Sequence, residues 1–295
     1  MSSNKSMKII LYSSQLASFI GRNVHTNPNK IFNKLYENNF GGIIKNMGLD
    51  GELKNSIIGD GSTIDNICSK LENNRDLRKK LDNICQRNLS TIGVKREAAE
   101  LERQVMEEKG LNENDKVLLK KAMDGYTNKK YGTIREVNAL DIYKEKMNCD
   151  VVTKIDSRCK KICEYRGIEL ILISKIDAIT MDGVVVEIKN RMYKLFNEVR
   201  EYEWLQVQAY LEVYNLEKGE LVEYLKVGDG EMSVKEIMRD RRFWNEIVLR
   251  EVGYYFRTMI NLISDEKKIK KYLILSDTEQ NEFIKKMVRK EAKEN

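Results

Sequence analysis

The chain has 295 residues, 41% of them hydrophobic, enough for one large domain or two small ones with a packed core. Its 52 basic and 46 acidic residues leave a formal charge of +6, a mild excess that favours a polyanionic partner. A single histidine, His25, excludes chemistry that needs two, such as HExxH zinc sites, and five cysteines without a secretory context imply reduced thiols in an intracellular, soluble protein.

The opening MSSNKSMKII lacks the apolar core of a signal peptide, and no apolar run approaches the roughly 20 residues that span a bilayer, so no membrane partner is expected. Residues 8–22, KIILYSSQLASFIGR, predict a short apolar stretch and then a Ser-capped helix with Leu16, Phe19 and Ile20 at helical spacing. HTNPNK holds the only proline and interrupts the pattern. His25 sits in this turn-rich stretch with no nucleophile elbow beside it and reads as a solvated loop residue. NKIFNKLYENN resumes helical periodicity, whereas FGGIIKNMGLDGELKNSIIGDGSTIDN is Gly-rich and weakly patterned. From about Ile64 to Lys121 the chain reads as charged helix, clearest in KREAAELERQVMEEKG, which Gly110 ends. Tyr131 to Met147 predicts another helix, with Ile134, Val137, Leu140 and Asp141 at the buried spacing and Glu136 one position off it.

From Cys149 the period switches to two through CDVVTKI, IELILISKIDAI, a turn at MDG shaped by Asp182 and Gly183, and VVVEIK: a hairpin. A helix YEWLQVQAYLEVYNL, a turn at EKG, a strand ELVEYLKVG and helix to the C-terminus follow. The organisation is a helical region at 1–125, an αβββαβ core at 126–230 and a helical C-terminal tail at 231–295. Cys159 and Cys163 of CKKIC have no second ligand pair and read as incidental thiols.

The stretch VVVEIKN carries the chemistry. Val184, Val186 and Ile188 share one strand face; Val185, Glu187 and Lys189 share the other, with the two charges about 6.6 Å apart along the strand. The partner strand brings Asp177. Two carboxylates on adjacent strands suit a hard divalent cation, Mg²⁺ or Mn²⁺. The neighbouring ammonium offsets their repulsion and can orient water or stabilise charge on a phosphate. Gln206 and Tyr210, at i and i+4 of the following helix, can face the same point.

Asp177, nine intervening residues and Glu187-Ile188-Lys189 resemble the PD-(D/E)XK nuclease superfamily, with Ile176 where the family usually has proline. QVQAY, about 16 residues on, resembles the QxxxY feature of its RecB-like branch. GTIREVNALDIY and YSSQLASFIG are similar to segments of the YqaJ/lambda-exonuclease-like viral recombinases; they align Glu136 with a further metal carboxylate and Ser14 with a phosphate-contacting serine. Residues 45–125 look like a lineage-specific insert.

The resemblance implies a restriction-endonuclease-like α/β fold, a mixed central sheet flanked by helices, with an N-terminal helical extension. It implies metal ligation by Asp177, Glu187, the Ile188 carbonyl and Glu136, with Lys189, Gln206 and Tyr210 in catalysis. The task implied is exonucleolytic resection of duplex DNA ends for recombination, repair or replication of a viral genome, in the host cytoplasm or nucleus. A ring-shaped homo-oligomer and a single-strand annealing or recombination partner belong to the same expectation. The family arginine that grips a 5′-phosphate has no match, since Met7 stands there; Lys5, Lys8 or Arg22 are the substitutes. Arg191 and Lys194, directly after the strand, are candidate DNA-backbone contacts, with a solvated loop as the alternative. No cysteine follows Cys163, so no iron–sulfur cluster of the RecB-like kind is expected. A structure-selective endonuclease and a non-cutting nucleic-acid-binding module remain as alternative functions.

Overall fold

The computed structural model describes residues 6–56, 61–71, 73–87, 89, 91–191, 193–226 and 230–294. It is a mixed α/β structure with two mixed sheets flanked by helices. A first strand β1 (Met7–Tyr12) leads into α1 (Ser13–Phe19) and α2 (Pro28–Asn46). The inserted region contributes α3 (Asp50–Ser56), α4 (Gly61–Cys68), α5 (Leu77–Gln86) and α6 (Thr91–Met106), and α7 (Glu113–Met147) follows. Then come β2 (Val151–Val152), β3 (Arg158–Tyr165), β4 (Ile168–Ser174), β5 (Ala178–Thr180), β6 (Val185–Arg191), α8 (Glu201–Tyr214), β7 (Lys218–Leu225) and β8 (Glu231–Met238). The chain closes with α9 (Arg241–Phe243), a π-helical turn (Trp244–Val248), α10 (Leu249–Ile263), α11 (Glu266–Leu273) and α12 (Asp277–Glu294).

One sheet has the order β1-β4-β3, the other β2-β5-β6-β7-β8. The expected hairpin is β5–β6: Ala178 pairs with Val186 in antiparallel register, and the Thr180 N–H donates to the Val184 carbonyl at 2.9 Å. β6 and β7 run parallel, joined by α8. Both faces of this sheet are covered, which is why the strands read as nearly continuous apolar runs. Val186, Ile188, Val222 and Tyr224 pack on Ala139, Leu140 and Tyr143 of α7, while Val185 and Leu221 pack on Val207, Tyr210, Leu211 and Tyr214 of α8. Helix α8 also turns Leu205 and Ala209 toward a separate core built from β1, α1, α2, β4 and α10–α12. A helix wedged between two cores needs apolar residues on all sides.

The inserted helices have their own cluster, including Ile64, Leu71, Leu81 and Val94, closed by Leu119, Met123 and Tyr131 from the first half of α7. Arg135 fastens the join: buried, it donates to the Cys85 and Leu89 carbonyls at 3.3 and 3.0 Å and lies 3.8 Å from the Tyr131 ring centre.

Several expectations are corrected. Helix α1 is not Ser-capped: the Tyr12 N–H donates to Gln15 Oε1 at 3.2 Å, and the Ser13 hydroxyl turns across to Ser174, 2.5 Å away. Helix α2 continues through Gly41 and Gly42, where the sequence looked unpatterned. Helix α7 starts 18 residues before Tyr131, capped by Asn112, whose side chain accepts the Asp115 N–H at 2.8 Å. Val137 is 68% exposed and Asp141 is exposed. The buried stripe instead includes Arg135, which an apolar count leaves out.

IELILISKIDAI is two strands, split at the bend before Ala178, so that β4 and β5 enter different sheets. Strand β3 lies at a sheet edge with Lys and Glu outward, which hides the alternation, and β8 is likewise an edge strand where helix was expected. Arg166 and Gly167, at φ +52° and +75°, turn β3 into β4.

Candidate active site

The polar face of β6 points at α8. Continuing the β5–β6 register by one residue sets Asp177 opposite Glu187, and Asp177 Oδ2 accepts the Ile188 N–H at 2.8 Å. Glu187 is buried, and its Oε1 accepts from Lys189 Nζ at 2.5 Å and from Gln206 Nε2 at 2.8 Å. Lys189 Nζ also donates to Gln206 Oε1 at 3.2 Å, and Gln206 Nε2 to the Tyr210 hydroxyl at 2.5 Å. One turn of α8 separates Gln206 from Tyr210, so both reach one point on the strand.

The electrostatics follow from this crowding. Burial, then the charge of Glu187, pushes the Asp177 carboxyl up to about 8. Glu136, on α7, is raised in the same direction by burial and then by Glu187. Burial opposes charge on Lys189, but Glu187 and Asp177 outweigh it and hold the ammonium above the ordinary lysine range. Burial and the same two carboxylates lift the Tyr210 hydroxyl well above its usual range, so it stays protonated.

The donor set fits a hard divalent cation. Glu187 Oε2 is buried with no hydrogen-bond partner, beside a second carboxylate whose charged form is disfavoured without a cation. Among the described residues no group of three or more His, Cys, Asp or Glu side chains is arranged to hold a metal ion. Mg²⁺ needs no such cage, because it commonly takes one or two carboxylates and completes its shell with water and phosphate oxygens.

Among the described residues no hydrogen bond joins the other candidates to this cluster. Ser14 is exposed on the first turn of α1, next to the Ser13–Ser174 contact that fixes the end of β4. Arg22 is engaged: it grips Glu251 through two 2.6 Å bonds and Glu201 through one of 2.5 Å. Lys8 lies 3.9 Å from Glu169, and Lys5 is outside the described residues. Arg191 ends β6 and does not lie in a solvated loop. It pairs with Glu223 at 2.6 Å and Glu203 at 2.8 Å, both buried. Lys194 is exposed. His25 is exposed in its loop, edge-on to Tyr202.

Sequence reasoning missed Glu203 and Glu223. Glu223 also accepts the Phe196 and Asn197 N–H groups and so shapes the loop after β6. A glutamate inside the apolar run ELVEYL was the available signal, since a buried carboxylate requires a cation.

No protein-family model matches the chain, and no curated protein does. Among solved structures it is similar to SSO0001, at 21% identity and TM-score 0.35 over 45% of this chain, spanning 60% of that protein's length. It is also similar to LHK-Exo, an alkaline exonuclease from Laribacter hongkongensis, at 15% identity and TM-score 0.39 over 65% of this chain and 91% of that one. The same enzyme in complex with dAMP gives 14% identity and TM-score 0.39 over 66% and 93%.

Proposed function

We propose that the chain is a Mg²⁺- or Mn²⁺-dependent DNA nuclease of the PD-(D/E)XK superfamily, YqaJ/lambda-exonuclease-like, acting as an exonuclease on duplex ends. The observation that carries this reading is the convergence of Asp177, Glu187, Lys189, Gln206 and Tyr210, with one Glu187 oxygen buried and unpartnered. Asp177, Glu187, the Ile188 carbonyl and Glu136 would hold the cation, which supplies Lewis-acid stabilisation of a phosphate gaining charge. Lys189, kept protonated by Glu187, places a positive charge and N–H donors where attacking water or a phosphate oxygen would sit. Gln206 fixes both the lysine and the carboxylate, and Tyr210 in turn accepts from Gln206.

The endonuclease reading has its own support. Arg22, one of the substitutes for the family's 5′-phosphate arginine, is held by Glu251 and Glu201. Digestion of linear, circular and 5′-dephosphorylated duplexes with Mg²⁺ separates the readings: loss of linear DNA alone supports the exonuclease, and nicked or cut circles the endonuclease. Retained binding without cleavage would indicate the module. Lys189→Ala should lower cleavage at least 100-fold, by the scale of one lost electrostatic stabiliser; undiminished activity would remove the lysine from the mechanism.

A further inference from the structure

Next to the catalytic cluster, between the inserted helices and the core, lies a cleft of about 790 Å³. One wall is α6 and the first half of α7; the other is formed by Asn190, the residue after Lys189, with Tyr193, Phe196, Arg200 and Tyr202, and by His25 edge-on to Tyr202. Three aromatic rings line it: Tyr193, 77% exposed, Phe196 and Tyr202. Two cations lie against these rings. Lys95 Nζ is 3.5 Å from the Tyr193 ring centre and the Arg200 guanidinium 3.4 Å from that of Phe196.

The remaining charges are largely matched. Lys120 pairs with Glu102 at 2.6 Å and Arg191 with Glu203 and Glu223, leaving Asp124 as the other acid of the lining. Lys95 and Arg200 have no ion pair among the described residues. The lining also holds buried polar atoms with no partner: Thr127 Oγ1, Asn190 Oδ1 and Arg200 Nε.

We propose that this cleft binds an unpaired nucleic-acid strand, with bases stacked at Tyr193 and phosphates facing Lys95 and Arg200. The inference rests on the nuclease reading and deepens it by giving the inserted helices a part in holding the strand beside the catalytic cluster. Aromatic platforms within a cationic groove are how proteins hold single strands irrespective of sequence, because every base presents a π-face. A duplex conceals those faces, and an acidic protein would use the cations but leave the rings idle. A free mononucleotide shares the chemistry of base and phosphate, so the test must separate it from a strand.

The measurement is fluorescence anisotropy of a short labelled oligothymidylate with the full chain in EDTA, competed by thymidine monophosphate and by a blunt hairpin duplex. Tyr193→Ala should weaken binding about tenfold, as expected for losing one base stack. Tyr193→Phe should restore it, and Lys95→Glu should weaken binding and flatten its salt dependence. Unchanged affinity in both Tyr193→Ala and Lys95→Glu, or displacement by the monophosphate or the hairpin as readily as by unlabelled oligomer, would overturn the proposal. The two readings fail separately. Cleavage with Tyr193-independent binding defeats this inference alone; Tyr193-dependent binding without cleavage in Mg²⁺ defeats the nuclease reading alone.

Discussion

Asp177 is costly to the fold as a charge. The folded chain keeps a proton on it up to about pH 8, whereas the unfolded chain releases that proton near 3.8. The contribution of this group to stability is therefore complete below about pH 4 and lost as pH rises through about 8. Asp177→Asn can still accept the Ile188 N–H, so it should raise stability above that window by about 1–3 kcal/mol while abolishing cleavage. Urea unfolding across pH in EDTA reads this directly. Added Mg²⁺ should stabilise the parent and not the variant. Arg191 behaves oppositely. Arg191→Ala strands Glu203 and Glu223 as buried, unpaired charges and should cost about 3–5 kcal/mol, seen as a lower urea midpoint. At this scale the meeting of Asp177, Glu187, Lys189, Gln206 and Tyr210 was legible, because strand alternation and the i, i+4 rule are local geometry. The roles of Arg22 and Arg191 were not, since the glutamates that claim them are brought up by folding rather than by neighbourhood in the sequence.

Helix α8 carries Gln206 and Tyr210 to the strand only because it sits close against the sheet. Gly219 of β7 makes that approach possible: a Cβ there would stand 2.7 Å from Val207 Cγ1, on a stiff β-branched side chain. Gly219→Ala should therefore cost about 1–3 kcal/mol by overpacking and lower cleavage as well, because α8 must shift. Paired urea melts and turnover rates would show both effects; a neutral change would place the helix farther out than described. Apolar elements bounded by turns, such as β6 and α8, were readable from the chain. Strand β3 and strand β8 were not, because edge strands wear charges on the side that would otherwise alternate. The full length of α7 was hidden too, since its buried face changes partner midway, from the inserted cluster to the five-stranded sheet.

For the molecule as a whole, the closing helices are structural members. Tyr272 donates to Asn33 Oδ1 at 2.9 Å, Tyr36 to the Met259 carbonyl at 2.9 Å, and Ile269, Leu273 and Ile284 complete the core begun by Leu16, Phe32 and Leu35. Removing residues 265–295 should thus abolish cooperative unfolding and soluble expression, whereas an accessory tail would be dispensable; circular dichroism melts of both lengths decide. The sequence marks this stretch only as a helical tail, and periodicity cannot reveal which distant segment a helix will meet.

The pairing of Arg22 with Glu251 and of Asn33 with Tyr272 spans well over two hundred positions of chain. Contacts of such separation are slow to form and wait on synthesis. A nascent polypeptide leaving the ribosome therefore carries Tyr36 without its Met259 and Tyr272 partners until those residues have emerged, an exposure that lasts for most of its synthesis.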